Sequence, residues 1–191
     1  MRNVSKIALA TLSAAALLAS SNVFASGSMS GQLNAQMTLQ AGCIISGAPG
    51  AGTSGVNFGT LDFGVQPATF TGTLLATASG GVGGAGATQI QCSPDVTSLS
   101  ITVSAGNNAG QGGSIGTGSR AMKLGTSNFL PYEVYSDAGM TSAYATGAVG
   151  VTLPGTGAAL PLPIYGRINK TSGAAMTSGT YTDVLQVTLS W

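Results

Sequence analysis

Beyond residue 25 the apolar residues of this chain come in short runs with a period of two, and glycine-rich stretches separate each run from the next. A period of two puts alternate side chains on opposite faces of an extended chain, so such runs read as half-buried strands; an amphipathic helix needs apolar residues three and four apart. The expected strands are residues 32–41, 56–63, 88–92, 99–105, 130–135, 160–168 and 181–191, and the expected turn-rich connections are 47–55, 80–86, 106–118 and 171–179. Thirty glycines in 191 residues supply the turns. Several short strands joined by such turns imply an all-β fold, an antiparallel sandwich of immunoglobulin type.

The first 25 residues stand apart. Arg2 and Lys6 open them, an apolar run fills 7–19, and Val23-Phe24-Ala25 has the small-residue pattern of a signal-peptide cleavage site. An apolar run of 13 residues is too short for a membrane span, which takes roughly 20. The mature chain is therefore expected to begin near Ser26 and to be exported, leaving one domain of ordinary size.

Loss of Arg2 and Lys6 leaves four cations against five carboxylates, a net charge of −1. The four cations, Arg120, Lys123, Arg167 and Lys170, are scattered, and no basic patch for a nucleic-acid backbone results. Charged residues make up only 6% of the chain, a composition suited to a surface packed against copies of itself. Histidine is absent, which removes the commonest general base and zinc ligand and with them a serine triad of the usual form. Gly81, Gly83 and Gly86 match a dinucleotide-binding spacing, but the residues that follow, ATQIQC, read as a strand where that motif needs a helix. No catalytic residue, metal ligand, cofactor or small-molecule substrate is expected.

Cys43 and Cys92 are the only cysteines. In an oxidising compartment a disulfide is their simplest use; CxxC spacing and further soft metal ligands are both missing.

Two segments pose a pairing problem. In 181–191 the residues Tyr181, Leu185, Val187, Leu189 and Trp191 share one face, broken at Asp183, so an apolar strand is left in need of a neighbour. In 30–43, SGQLNAQMTLQAGC, the residues Leu33, Ala35, Met37, Leu39 and Ala41 alternate strictly with polar ones and make a second ready strand. Either this second segment is the first strand of its own domain, or it serves elsewhere. It runs straight into Gly42-Cys43, so folding back beside the terminal strand would need a sharp reversal at the disulfide.

Taken in order, GQLNAQMTLQAGC, NFGTLDFG at 57–64, IQC at 90–92, LPYEVYSD at 130–137, LPIYGRI at 162–168 and GTYTDVLQVTLSW at 179–191 resemble the spore coat U family. That family includes the pilins of archaic, Csu-type chaperone-usher pili. The most specific motif is G-x-Y-x-D followed by an alternating strand with a terminal aromatic. Trp191 stands where Phe or Tyr is more usual, and Ala35 is smaller than the branched residues common in the leading strand.

The resemblance implies an immunoglobulin-like sandwich that lacks its last strand. Residues 26–42 would be a donor extension carrying Leu33, Ala35, Met37, Leu39 and Ala41, and 43–191 the pilin domain with Cys43 and Cys92 bonded within it. The groove to be filled would lie beside Leu185, Val187, Leu189 and Trp191. The implied partners are identical subunits joined head to tail, a periplasmic chaperone and an outer-membrane usher. The implied role is a shaft subunit of a fimbrium, exported through the periplasm to the cell surface for attachment and biofilm formation. The alternatives are a secreted coat or matrix protein of the same fold, and a pilus tip adhesin, which would need a ligand-binding domain and no donor strand.

Overall fold

A computed structural model describes residues 27–47, 54–82, 84–144 and 147–191. The expected signal peptide lies outside these residues. The chain divides into two units, Met1–Thr38 and Leu39–Trp191. In the first, residues 27–38 form no strand, and Leu33 and Met37 are 95% and 81% exposed.

The second unit is all-β, with antiparallel strands and no helix among the described residues. Its strands are β1 (Cys43–Ile45), β2 (Gly72–Thr77), β3 (Gln89–Cys92), β4 (Ser98–Val103), β5 (Gly116–Thr117), β6 (Arg120–Leu124), β7 (Asn128–Tyr135), β8 (Val149–Thr152), β9 (Leu160–Pro161), β10 (Tyr165–Lys170) and β11 (Val187–Ser190). They form three sheets: β1-β3-β9, β2-β10-β7-β6 with β5 on β10, and β11-β4-β8. Alternation explains the clearest of these strands. In β4, Leu99, Ile101 and Val103 point inward between Ser98, Ser100 and Thr102, and in β10 Gly166, Ile168 and Lys170 take the inner positions. The inward side chains of all three sheets, among them Ile90, Ile101, Val134 and Ile168, meet in one core.

The structure departs from the sequence expectations in several places. Residues 32–41 carry no strand, and Ala41 is exposed like the rest of that face. In 56–63 there is a single bridge, Thr60 to Ser79, and in 181–191 the ladder is confined to β11, preceded by a bridge from Thr182 to Lys123. Strands β1, β2, β5, β6 and β8 lie outside the expected ones. The glycine-rich stretch 80–86 leads into strand β3 and not into a helix, as a connecting loop should.

Cys43 and Cys92 lie opposite one another in the β1–β3 register and are joined by a disulfide. A second cross-tie is Arg120, 1% exposed, which uses all its N–H groups. It donates to Glu133 Oε1 at 2.5 Å and Ser119 Oγ at 3.2 Å, and to the carbonyls of Ser104 at 2.8 Å, Val103 at 3.0 Å and Tyr144 at 2.6 Å. One buried guanidinium thus joins the start of β6, the middle of β7 and the end of β4.

Candidate functional site: an open groove along the C-terminal strand

β11 and β1 are each the outermost strand of a three-stranded sheet. Both line the same cavity, of about 580 Å³, bounded by Cys43, Ile45, Ile90 and the stretch from Val184 to Trp191. The cavity continues into a smaller one of about 390 Å³ through shared residues that include Val56, Phe58, Leu185 and Val187. That one opens in turn, past Leu61, Phe63, Met122 and Tyr181, into a space of about 620 Å³ reaching Met176 and Ile168. Through these shared residues the three make one groove along the C-terminal segment, from Met176 to Trp191.

One wall is the C-terminal segment itself. Leu185, Val187, Leu189 and Trp191 all line the groove, so these four sequence-predicted residues are brought together along one wall. Within β11 the residues alternate between half-buried Val187 and Leu189 and exposed Thr188 and Ser190. One side of β11 is paired: Val187, Thr188, Leu189 and Ser190 face Val103, Thr102, Ile101 and Ser100 of β4. Its other side has no strand partner among the described residues.

The opposite wall is the stretch 54–66. It is fastened through Gly59, whose φ of +104° brings its backbone against the Ser79 carbonyl so closely that a Cβ there would collide with it. The Thr60 N–H donates to Ser79 O at 2.8 Å, and the Thr88 hydroxyl to Phe58 O at 3.0 Å. The sequence held a signal for this wall that alternation alone does not use: the apolar phase of Val56 and Phe58 shifts by one at Gly59, to Leu61 and Phe63. Buried core residues, including Ala78, Val103, Ile164 and Tyr132, form the floor.

The middle of the groove holds one carboxylate, Asp183. Its Oδ2 accepts from the Tyr132 hydroxyl at 2.9 Å and its Oδ1 from the Asn107 N–H at 3.0 Å. Burial first, and the negative charge of Asp183 second, hold the Tyr132 proton far above the ordinary tyrosine range. Burial also pushes Tyr144 up to about 12. A raised folded-state pKa means stability is fully present below the unfolded value near 10 and is lost as pH rises toward the folded values. The melting temperature should accordingly fall above about pH 10, and Tyr132→Phe should flatten part of that fall; a fall of unchanged steepness in the variant would contradict this placement.

The remaining sequence-predicted residues, Leu33, Ala35, Met37, Leu39 and Ala41, are exposed side chains on a stretch without strand pairing. They present an extended apolar face. The groove offers two free strand edges and a lining of aliphatic and aromatic side chains interspersed with polar ones such as Thr60, Gln186 and Thr188. An arrangement of this kind takes up an extended segment by main-chain hydrogen bonding along an edge, with every second side chain seated in the groove.

The chain belongs to the Spore Coat Protein U domain family, whose model matches residues 29–188. It is 28% identical over 191 residues to "Protein U" of Myxococcus xanthus, covering 99% of each chain. Among solved structures it is similar, at 17% identity and a TM-score of 0.37, to a chaperone–tip adhesion subunit pre-assembly complex (CsuC–CsuE) from the archaic chaperone-usher Csu pili of Acinetobacter baumannii. That likeness covers 81% of this chain and spans 40% of the other.

Proposed function

We propose that this chain is a structural shaft subunit of a chaperone-usher pilus that polymerises by strand donation. Residues 26–42 act as the donor extension and 43–191 as the subunit domain. Leu33, Ala35, Met37, Leu39 and Ala41 of one copy enter the groove beside Leu185, Val187, Leu189 and Trp191 of the next. The observation that carries this reading is the groove: a cleft over the hydrophobic core, lined by β1 and β11, each of which has an edge without a strand partner among the described residues. Donor and acceptor surfaces differ, so the contact is heterologous and grows into a fibre instead of closing. In keeping with the spore coat U resemblance, the remaining partners in this reading are a periplasmic chaperone that covers the groove until assembly and an outer-membrane usher that exports the fibre to the cell surface, where it serves attachment and biofilm formation.

A peptide of residues 27–42 tests the reading. Mature chain without a chaperone should polymerise, and excess peptide should hold it as a stabilised monomer, because a ligand that binds only the folded state raises its stability by mass action. A monomer that melts cooperatively and ignores the peptide would rule the reading out. A second reading, a secreted coat protein, draws on the family's spore-coat description and the full-length similarity to Protein U. Electron microscopy of cells expressing the chain with its neighbouring genes separates the two, as fibres or as a surface layer without them.

A further inference from the structure

The C-terminal segment changes partner along its length. At Thr182 it is tied to Lys123 of β6 by bonds of 2.9 and 3.1 Å, whereas from Gln186 onward it is tied to Ser104 and then to β4. It therefore crosses from one sheet to another over residues 183–185, beside a groove that gives it no ladder on the other side.

Asp183 sits in that crossing, and two separate regions of the domain converge on it. Tyr132 of β7 reaches it from the core with its hydroxyl, and the backbone of the loop after β4 reaches it with the Asn107 N–H. The loop approaches so closely that a Cβ on Gly106, at φ +75°, would collide with the carboxylate. Asp183 also interrupts an otherwise apolar face in the middle cavity of the groove. An apolar side chain there would add to the lining; a carboxylate with two fixed donors instead fastens the backbone that carries it.

We infer that Asp183 is a positioning residue: a latch that fixes residues 183–185, the crossing between the two sheets, while the groove is empty, so that an incoming segment meets a preformed edge on the half-paired strand wall. Once the groove is filled, the new ladder supplies the same restraint and the latch becomes dispensable. This inference rests on the strand-accepting reading above and extends it to the state before binding. Ordering the wall in advance lowers the cost of binding and acts on association.

The test is made in full mature chain carrying Leu39→Asp in every copy, so that no copy's own segment fills a groove, and compares wild type at 183 with Asp183→Asn, which keeps one oxygen acceptor for two donors, and with Tyr132→Phe as the milder variant should the first fold poorly. Hydrogen exchange of residues 184–191 is followed in empty chain and in chain saturated with the 27–42 peptide, and peptide association is timed by fluorescence anisotropy. In the empty variant the amides of 184–191 should exchange about tenfold faster, as loss of one charge-assisted hydrogen bond implies. In the filled variant their exchange should match wild type, with slower association and an unchanged dissociation rate. Equal loss of protection in empty and filled chain would make Asp183 merely structural and overturn the inference. If wild-type chain binds no peptide, the strand-accepting reading fails, and unchanged protection in the empty variant then overturns the latch as well.

Discussion

Leu39→Asp is expected to abolish chain extension while leaving the subunit's own fold intact. Leu39 is 81% exposed, so within its own subunit a carboxylate there costs little. Seated in the apolar groove of a neighbour, the same carboxylate is an unpaired ion without a polar partner, at a cost of several kcal/mol. A penalty of about 4 kcal/mol lowers an association constant roughly a thousandfold, enough to stop growth at the variant. The variant should melt like wild type in its chaperone complex and should still accept a wild-type donor, since its groove is unaltered. It should then fail to add to the next subunit. Loss of stability in the chaperone complex, equal to the loss of fibres, would instead make 32–41 the chain's own first strand.

The double substitution Cys43→Ser/Cys92→Ser should destabilise the domain by about 4 kcal/mol, from the chain entropy released when a loop of 49 residues is no longer closed. The consequence is local as well as global. β1 is only three residues long, and its register with β3 is pinned at Cys43 opposite Cys92. Without the bond β1 should detach, and one rim of the groove goes with it, since Cys43 and Ile45 line it beside β11. Urea denaturation gives the stability, and the affinity for the 27–42 peptide gives the rim. Free thiols or a disulfide between chains, found by non-reducing mass spectrometry of the mature protein, would contradict the intrachain bond on which both expectations rest.

Alternation made β3, β4 and β10 legible, because every second residue in each is buried and those between are less so; β7, read from its apolar run at 130–135, is buried on both faces over Leu130–Tyr132. β6 escaped notice because its first residue is Arg120, which a reading by polarity puts in water, whereas Glu133 and three carbonyls make it a buried cross-tie. β2 was obscured by the adjacent Leu74 and Leu75, one packed against the core and the other 61% exposed. The groove was half legible. The apolar face of 181–191 announced a wall, but the opposing wall at 54–66 pairs through a single bridge, and an irregular segment has no period to read. Asp183 was visible as a break in that face; its partners Tyr132 and Asn107 come from distant regions of the chain, and no local pattern links them. For 32–41 the pattern told which side chains share a face and nothing about which chain pairs with it.

Which chain fills the groove is open to direct measurement. Mature chains labelled with light and heavy nitrogen can be mixed before assembly, with photo-methionine in place of methionine, and the fibres irradiated and digested. Met37 lies in the alternating segment and should cross-link to residues 184–191. Strand donation predicts light–heavy cross-linked pairs as frequent as same-isotope pairs. Same-isotope pairs alone would show that each chain fills its own groove, and would contradict donation between subunits.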